Sequence, residues 1–196
     1  MDTFVIAEAG ANHNRNFNQA LSLIDVAVKS KATACKFQTY TADKLFTTKS
    51  KKVNGFDVLD MFKNIELPRD WQYDLKQYCD EKDIEFMSTP FDEEAVDELF
   101  KLGVKRFKIA GFESTDLRFI QYVASTQLPI IISAGIGTDI NFIEKILESC
   151  YKVDCKDVTI LHCNNGYPTQ VCETNLLTIP QIKKKYNIKN DNPNHH

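Results

Sequence analysis

Three observations predict an α/β fold of parallel strands, of the barrel type. Short apolar runs recur along the 196 residues, amphipathic helical patterns fall between them, and each run ends in polar or small residues. The runs are FVIAEAG (4–10), ACKFQTY (34–40), IEFMSTP (84–90), RFKIAGFE (106–113), PIIISAG (129–135) and VTILHCNN (158–165). Strand alternating with helix builds a mostly parallel sheet covered by helices. A doubly wound sheet would bind ligand at one switch point, whereas a barrel gathers all strand ends around one mouth. Polar endings on all six runs, at Glu8, Gln38, Thr89, Glu113, Ser133 and Asn165, favour the barrel.

The connecting segments support this in order. NQALSLIDVAVKS, EEAVDELFKLG, DLRFIQYVAST and DINFIEKILESC carry apolar residues at helical spacing. Asp92, Thr115 and Thr138 stand where a side-chain oxygen caps the following helix, and Gly103 closes one. The longest interval holds an extra segment, 41–66, before a helix starting near Pro68. Polar and lysine-rich, it is read either as a lid over the site or as a solvated loop. The expected organisation is one partial barrel over 1–187 and a polar tail over 188–196, with His195 and His196 as a tag remnant.

Bulk properties exclude several classes. A net charge of −3 favours neither nucleic acid nor an anionic membrane. No apolar run approaches the roughly 18 residues of a membrane-spanning helix, and no basic leader is visible. Six cysteines show no CxxC pair and no zinc-like spacing, as expected for reduced thiols in a cytoplasmic protein. Cys35 and Cys163 fall within strand patterns.

Lys36 in ACKFQT and Lys108 in RFKIAGFE carry most of the chemistry. An ammonium inside an apolar strand costs several kcal/mol unless an anion sits beside it. Two of them near strand C-termini suggest a site for a multiply charged anion, phosphate or carboxylate, with Thr89, Ser133 and Asn165 as neutral donors. The alternative is that each lysine reaches water from a strand end. Within the second run Lys36 and Gln38 share one face and Cys35 and Phe37 the other. Glu8 and Glu113 either orient hydroxyls, bind a metal or move protons, or form a structural salt bridge to one of the lysines. His162 is read as a hydrogen-bonded core residue before a ligand. His13, in ANHN, and Tyr167-Pro168, after NNG, are open to turn and packing roles.

Taken together, IAEAGANHN, KFQTYTADKL, FMSTPFD, FKIAGFE, IIISAGI and LHCNNGYPT resemble the N-acetylneuraminate (sialic acid) synthase family from residue 4 to about residue 187. The resemblance implies a TIM barrel of the (β/α)8 type, of which about six βα units are present here. It implies condensation of phosphoenolpyruvate with an N-acetylated aminosugar such as N-acetylmannosamine, helped by a divalent metal, manganese or magnesium. Lys36, Thr89, Lys108, Ser133 and Asn165 match phosphoenolpyruvate positions. Gln38, Glu113 and Tyr167 match positions near the sugar, and Glu8 an acidic residue of the catalytic mouth. Glu8, Lys36 and Lys108 are the expected catalytic residues.

Two departures stand out. Gly111 replaces the family's usual serine and Phe112 adds bulk beside it, so altered substrate contacts are expected. The family's metal-binding motifs, G-Y-S-D-H-T and E-K-H-F-T, are absent from the sequence, as is its C-terminal antifreeze-like domain. The expectation is therefore a truncated synthase, weak or inactive alone, that forms a homodimer or is completed by a second chain. The rival expectations are a catalytically dead protein that binds phosphoenolpyruvate or a sugar phosphate, and a gene fragment without function.

Overall fold

The structure, a computed structural model, describes residues 3–46, 52–53, 55–135, 137–164, 166 and 168–186. It divides into two compact units, Phe4–Lys105 and Arg106–His196, the latter with Met1–Thr3. Each is a three-stranded parallel sheet with helices against it, so the α/β class and the parallel pairing are as the alternation predicts.

In the first unit β1 (Ile6–Gly10), β2 (Ala34–Thr39) and β5 (Glu85–Pro90) pair in that order. Helices α1 (Phe17–Lys29), α4 (Trp71–Glu81) and α5 (Glu93–Leu102) pack around them. Ile24, Phe37, Leu75, Met87 and Leu99 form the fully buried centre. Five of the six β2 residues are buried, as befits a parallel strand covered on both faces. Asp92 caps α5 by accepting from Ala95 N at 2.8 Å, and Gly103 ends it at φ 81°, where a Cβ would be strained.

The 41–66 segment is folded wherever it is described. It contains α2 (Ala42–Leu45), the hairpin strands β3 (Lys52–Val53) and β4 (Phe56–Asp57), and α3 (Val58–Ile65). Tyr40 meets Phe62 and Phe91 edge-on, and Phe46 meets Phe62 at 4.9 Å between centroids. Glu66 accepts from Ala42 N at 2.9 Å. These contacts replace the solvated-loop reading for the described part; 47–51 and residue 54 lie outside it.

In the second unit β6 (Phe107–Ile109), β7 (Ile130–Ala134) and β8 (Val158–His162) pair in order. Helices α6 (Leu117–Ala124) and α7 (Ile140–Tyr151) pack on each other, and α8 (Thr178–Tyr186) follows. Phe107, Ile109, Ile120, Ile130, Ile132 and Ile146 are the buried centre.

Several sequence expectations need correction here. The run RFKIAGFE is strand only through Ile109, because the chain turns after it into a short 3-10 helix, Glu113–Thr115. Glu113 therefore sits on that turn and not at a strand end. The caps of α6 and α7 are Asp116 and Asp139, one residue beyond Thr115 and Thr138. Their carboxylates accept two backbone N–H groups each, while Thr138 Oγ1 accepts from Gly135 N instead. Cys163 follows β8, although its N–H still donates to Ala134 O at 2.8 Å. All six cysteines are free thiols, and burial pushes Cys35 up to about 12. No helix among the described residues is long and apolar enough to cross a membrane.

Candidate functional site

Parallel register builds the same arrangement once in each unit. Lys36 pairs across to Met87, and its ammonium reaches Thr89 Oγ1, two residues further along β5, at 3.4 Å. Lys108 pairs across to Ile131, and its ammonium donates to Ser133 Oγ, two residues further along β7, at 2.5 Å. Side chains two residues apart share a sheet face, so lysine and hydroxyl meet in both sheets. Both lysines are 7% exposed.

The remaining acceptors differ. Lys36 forms an ion pair with Glu8 Oε2, the residue opposite it on β1. Glu8 keeps its side chain 52% exposed, beside a register shift between Glu8 and Gly10. Lys108 also donates to Ile109 O at 2.7 Å. Beyond β6, Glu113 Oε2 is buried and has no hydrogen-bond partner among the described residues. Burial pushes the Glu113 carboxyl above its usual range, against the opposing pull of its own backbone N–H and of the Lys108 ammonium.

Gln38 lies half-buried on β2, on the Lys36 face. Asn165 and Tyr167 lie outside the described residues. Sequence reasoning did not anticipate a cavity of about 320 Å³ at the ends of β7 and β8, lined by Gly135, Thr138, Asp139, His162, Asn164 and Ile182. Its polar side chains already hold internal bonds. His162 Nε2 and Asn164 Nδ2 both meet Thr174 O, at 2.8 and 3.3 Å. The turn reading of His13 fits its geometry: it is buried between Phe37 and Trp71, and its Nδ1 accepts from Arg15 N at 3.1 Å. Burial, then the Arg15 guanidinium, hold His13 below its usual range.

Among the described residues no group of three or more His, Cys, Asp and Glu side chains is arranged to hold a metal ion.

The profile of the NeuB family matches residues 23–196. The chain is 37% identical to an uncharacterised protein of Methanocaldococcus jannaschii, over 95% of this chain and 53% of that one. It is 36% identical to an N,N'-diacetyllegionaminic acid synthase of Campylobacter jejuni, over 95% of this chain and 58% of that one. The chain thus spans little more than half the length of these relatives. A crystal structure of an N-acetylneuraminic acid synthetase from Leptospira borgpetersenii, in complex with citrate, superposes with a TM-score of 0.87 at 31% identity. That match covers 95% of this chain and 62% of that one. The fold is accordingly TIM-barrel-like and partial, with six parallel strands in two three-stranded sheets.

Proposed function

The chain belongs to the NeuB family, and from that footing we propose that it is the phosphoenolpyruvate-binding part of a sialic-acid-type synthase. The acceptor is an N-acylated aminosugar, and the products are a nonulosonic acid and inorganic phosphate. The observation that carries this reading is the lysine–hydroxyl pair built once in each sheet. A buried ammonium held by hydroxyls is preorganised for a phosphate or carboxylate oxygen. The Leptospira relative's complex with citrate, another multiply charged anion, is consistent with it.

In this scheme Lys36, Thr89, Lys108, Ser133 and Asn165 contact phosphoenolpyruvate, and Gln38, Glu113 and Tyr167 contact the sugar. The methylene carbon attacks the open-chain aldehyde, forming the carbon–carbon bond while the aldehyde oxygen takes a proton. Water then adds to the electron-poor carbon that carried the phosphate ester. That carbon loses phosphate by C–O cleavage and becomes a ketone. In this reading Glu8, Lys36 and Lys108 are the catalytic residues, and the raised Glu113 carboxyl supports a proton-handling role for it beside the sugar.

A thermal melt against increasing phosphoenolpyruvate tests the reading. Ligand at a hundred times its dissociation constant stabilises by roughly 2.7 kcal/mol, which is about 5–10 °C for a domain of this size. A cooperative melt that ignores millimolar phosphoenolpyruvate refutes it. A second reading, binding without turnover, rests on the same two buried lysine–hydroxyl pairs, which hold an anion whether or not it reacts. A melt shift without manganese-dependent phosphate release would select it.

A further inference from the structure

We propose that His13 is a positioning residue that makes the Lys36 end of the anion site acid-sensitive. Its unprotonated Nδ1 fastens the turn between β1 and α1, and protonation there releases it. The functional half of this rests on the phosphoenolpyruvate reading above; the structural half stands without it. The turn holds Asn14 and Arg15 at φ 48° and 51°, a left-handed backbone that residues other than glycine adopt at a cost. Arg15 N donates to His13 Nδ1 at 3.1 Å across this stretch. A protonated Nδ1 has no lone pair to accept with, so an imidazolium cannot keep the bond.

The turn is tied in two directions. Asn12 donates to Ala9 O from both N and Nδ2, at 3.0 Å each, beside the register shift that follows the Glu8–Lys36 pairing. Arg15 Nη1 donates to Lys63 O at 2.8 Å, fastening the turn to α3. The ring itself is 1% exposed and meets Phe37 of β2 and Trp71 of α4, at 6.4 and 6.2 Å between centroids. Phe37 follows Lys36, so the ring backs the strand that carries the ammonium. Its surroundings do not favour a second positive charge. On this face β2 adds the Cys35 thiol, which burial pushes up to about 12 and keeps neutral. Helix α4 adds Asp70 and Asp74, both exposed at its start, and the turn adds Arg15. Burial and then the Arg15 guanidinium make the folded ring harder to protonate than a free one.

His13→Asn tests this, because an asparagine oxygen accepts from the N–H two residues on and never titrates. As pH falls below the reference of 6.5, the unfolded chain takes its proton first. Stability is therefore full above that value and is lost as pH falls through the lower folded one. Across this window the wild-type unfolding constant in urea should rise up to about tenfold per pH unit relative to the variant. One unit below the folded value only about a tenth of the turns keep Nδ1 free, so phosphoenolpyruvate should bind roughly tenfold more weakly. The variant should escape this loss in calorimetric titrations at matched pH. In the wild type alone, the Arg15 amide resonance should titrate together with the His13 ring, at a midpoint below 6.5. An Arg15 amide that ignores the ring's titration overturns the proposal. So does a wild type that binds phosphoenolpyruvate yet loses no more affinity in acid than the variant. If phosphoenolpyruvate binds at neither pH, the synthase reading fails, while joint titration of His13 and Arg15 still supports the acid-released turn.

Discussion

In the Phe4–Lys105 unit the buried lysine shares its ammonium with an exposed carboxylate, Glu8. In the other unit Lys108 is held by a serine hydroxyl and a backbone carbonyl. The nearby acid there, Glu113, lies on a turn with one oxygen buried. What the units share is the hydroxyl two residues beyond the lysine's register partner; what varies is the carboxylate. A parallel ladder supplies the first automatically, since residues i and j+2 face the same side. The second depends on where the acid lies in the chain, on the neighbouring strand β1 for Glu8 and on a 3-10 turn after β6 for Glu113. The hydroxyl is therefore part of the sheet, and the carboxylate is an adjustment of its charge.

The largest test of this equivalence is removal of each lysine. Truncating one partner of a buried charge pair costs about 2–5 kcal/mol of binding. Lys108→Ala and Lys36→Ala should therefore each weaken phosphoenolpyruvate roughly 30- to 5,000-fold in calorimetric titration. Wild-type affinity in either variant would mean that its lysine serves its own sheet alone.

Removal of the hydroxyls separates the two arrangements by distance. A hydrogen bond to a charged group is worth about 1.5–3 kcal/mol, and the Lys108–Ser133 contact at 2.5 Å should approach that value. At 3.4 Å the Lys36–Thr89 contact is long, and Lys36 keeps Glu8. Urea denaturation should show Ser133→Ala costing about 1.5–3 kcal/mol and Thr89→Val less than about 1 kcal/mol. The reverse order would show that the ion pair, not the hydroxyl, is the variable part.

Much of this was legible in the sequence, and the illegible remainder has definite causes. The apolar runs around Lys36 and Lys108 marked both strands, because parallel strands covered on two faces are apolar throughout. The cap at Asp92 was readable from its place before EEAVDELF. Thr115 and Thr138 misled because each precedes an aspartate, and a carboxylate accepts two N–H groups where a hydroxyl competes poorly. RFKIAGFE looked like one strand because Phe112 is apolar, yet Ser114 ties the backbone to Ala110 and Gly111 and turns it. The Glu8–Lys36 pairing depends on register between strands 28 residues apart, which no local pattern encodes.

Glu8→Gln probes the carboxylate directly. The side chain is half in water, so screening limits the pair to about 0–1 kcal/mol, and folding stability should barely change. Removing this negative charge beside Lys36 should tighten phosphoenolpyruvate by up to about fivefold, within that same range. Weaker binding instead would give Glu8 a direct part in holding the ligand.

The smallest effect concerns the other acid. Burial raises the Glu113 carboxyl above its reference of 4.5, so the folded chain holds this proton to higher pH than the unfolded chain does. Below about 4.5 both states are protonated and Glu113 costs nothing. As pH climbs from there through the raised folded value, the unfolded chain releases its proton first and stability falls. Above that value the loss is constant. Glu113→Gln cannot ionise, so the wild-type minus variant difference in urea stability should decline across this window and then level. Lys108→Ala removes an attraction that lowers the carboxyl's value, so it should extend the decline to higher pH. If that difference stays flat from pH 4 to pH 8, the buried oxygen is hydrated in solution. Glu113 would then resemble Glu8, and the contrast between the two units would reduce to the length of the hydroxyl bonds.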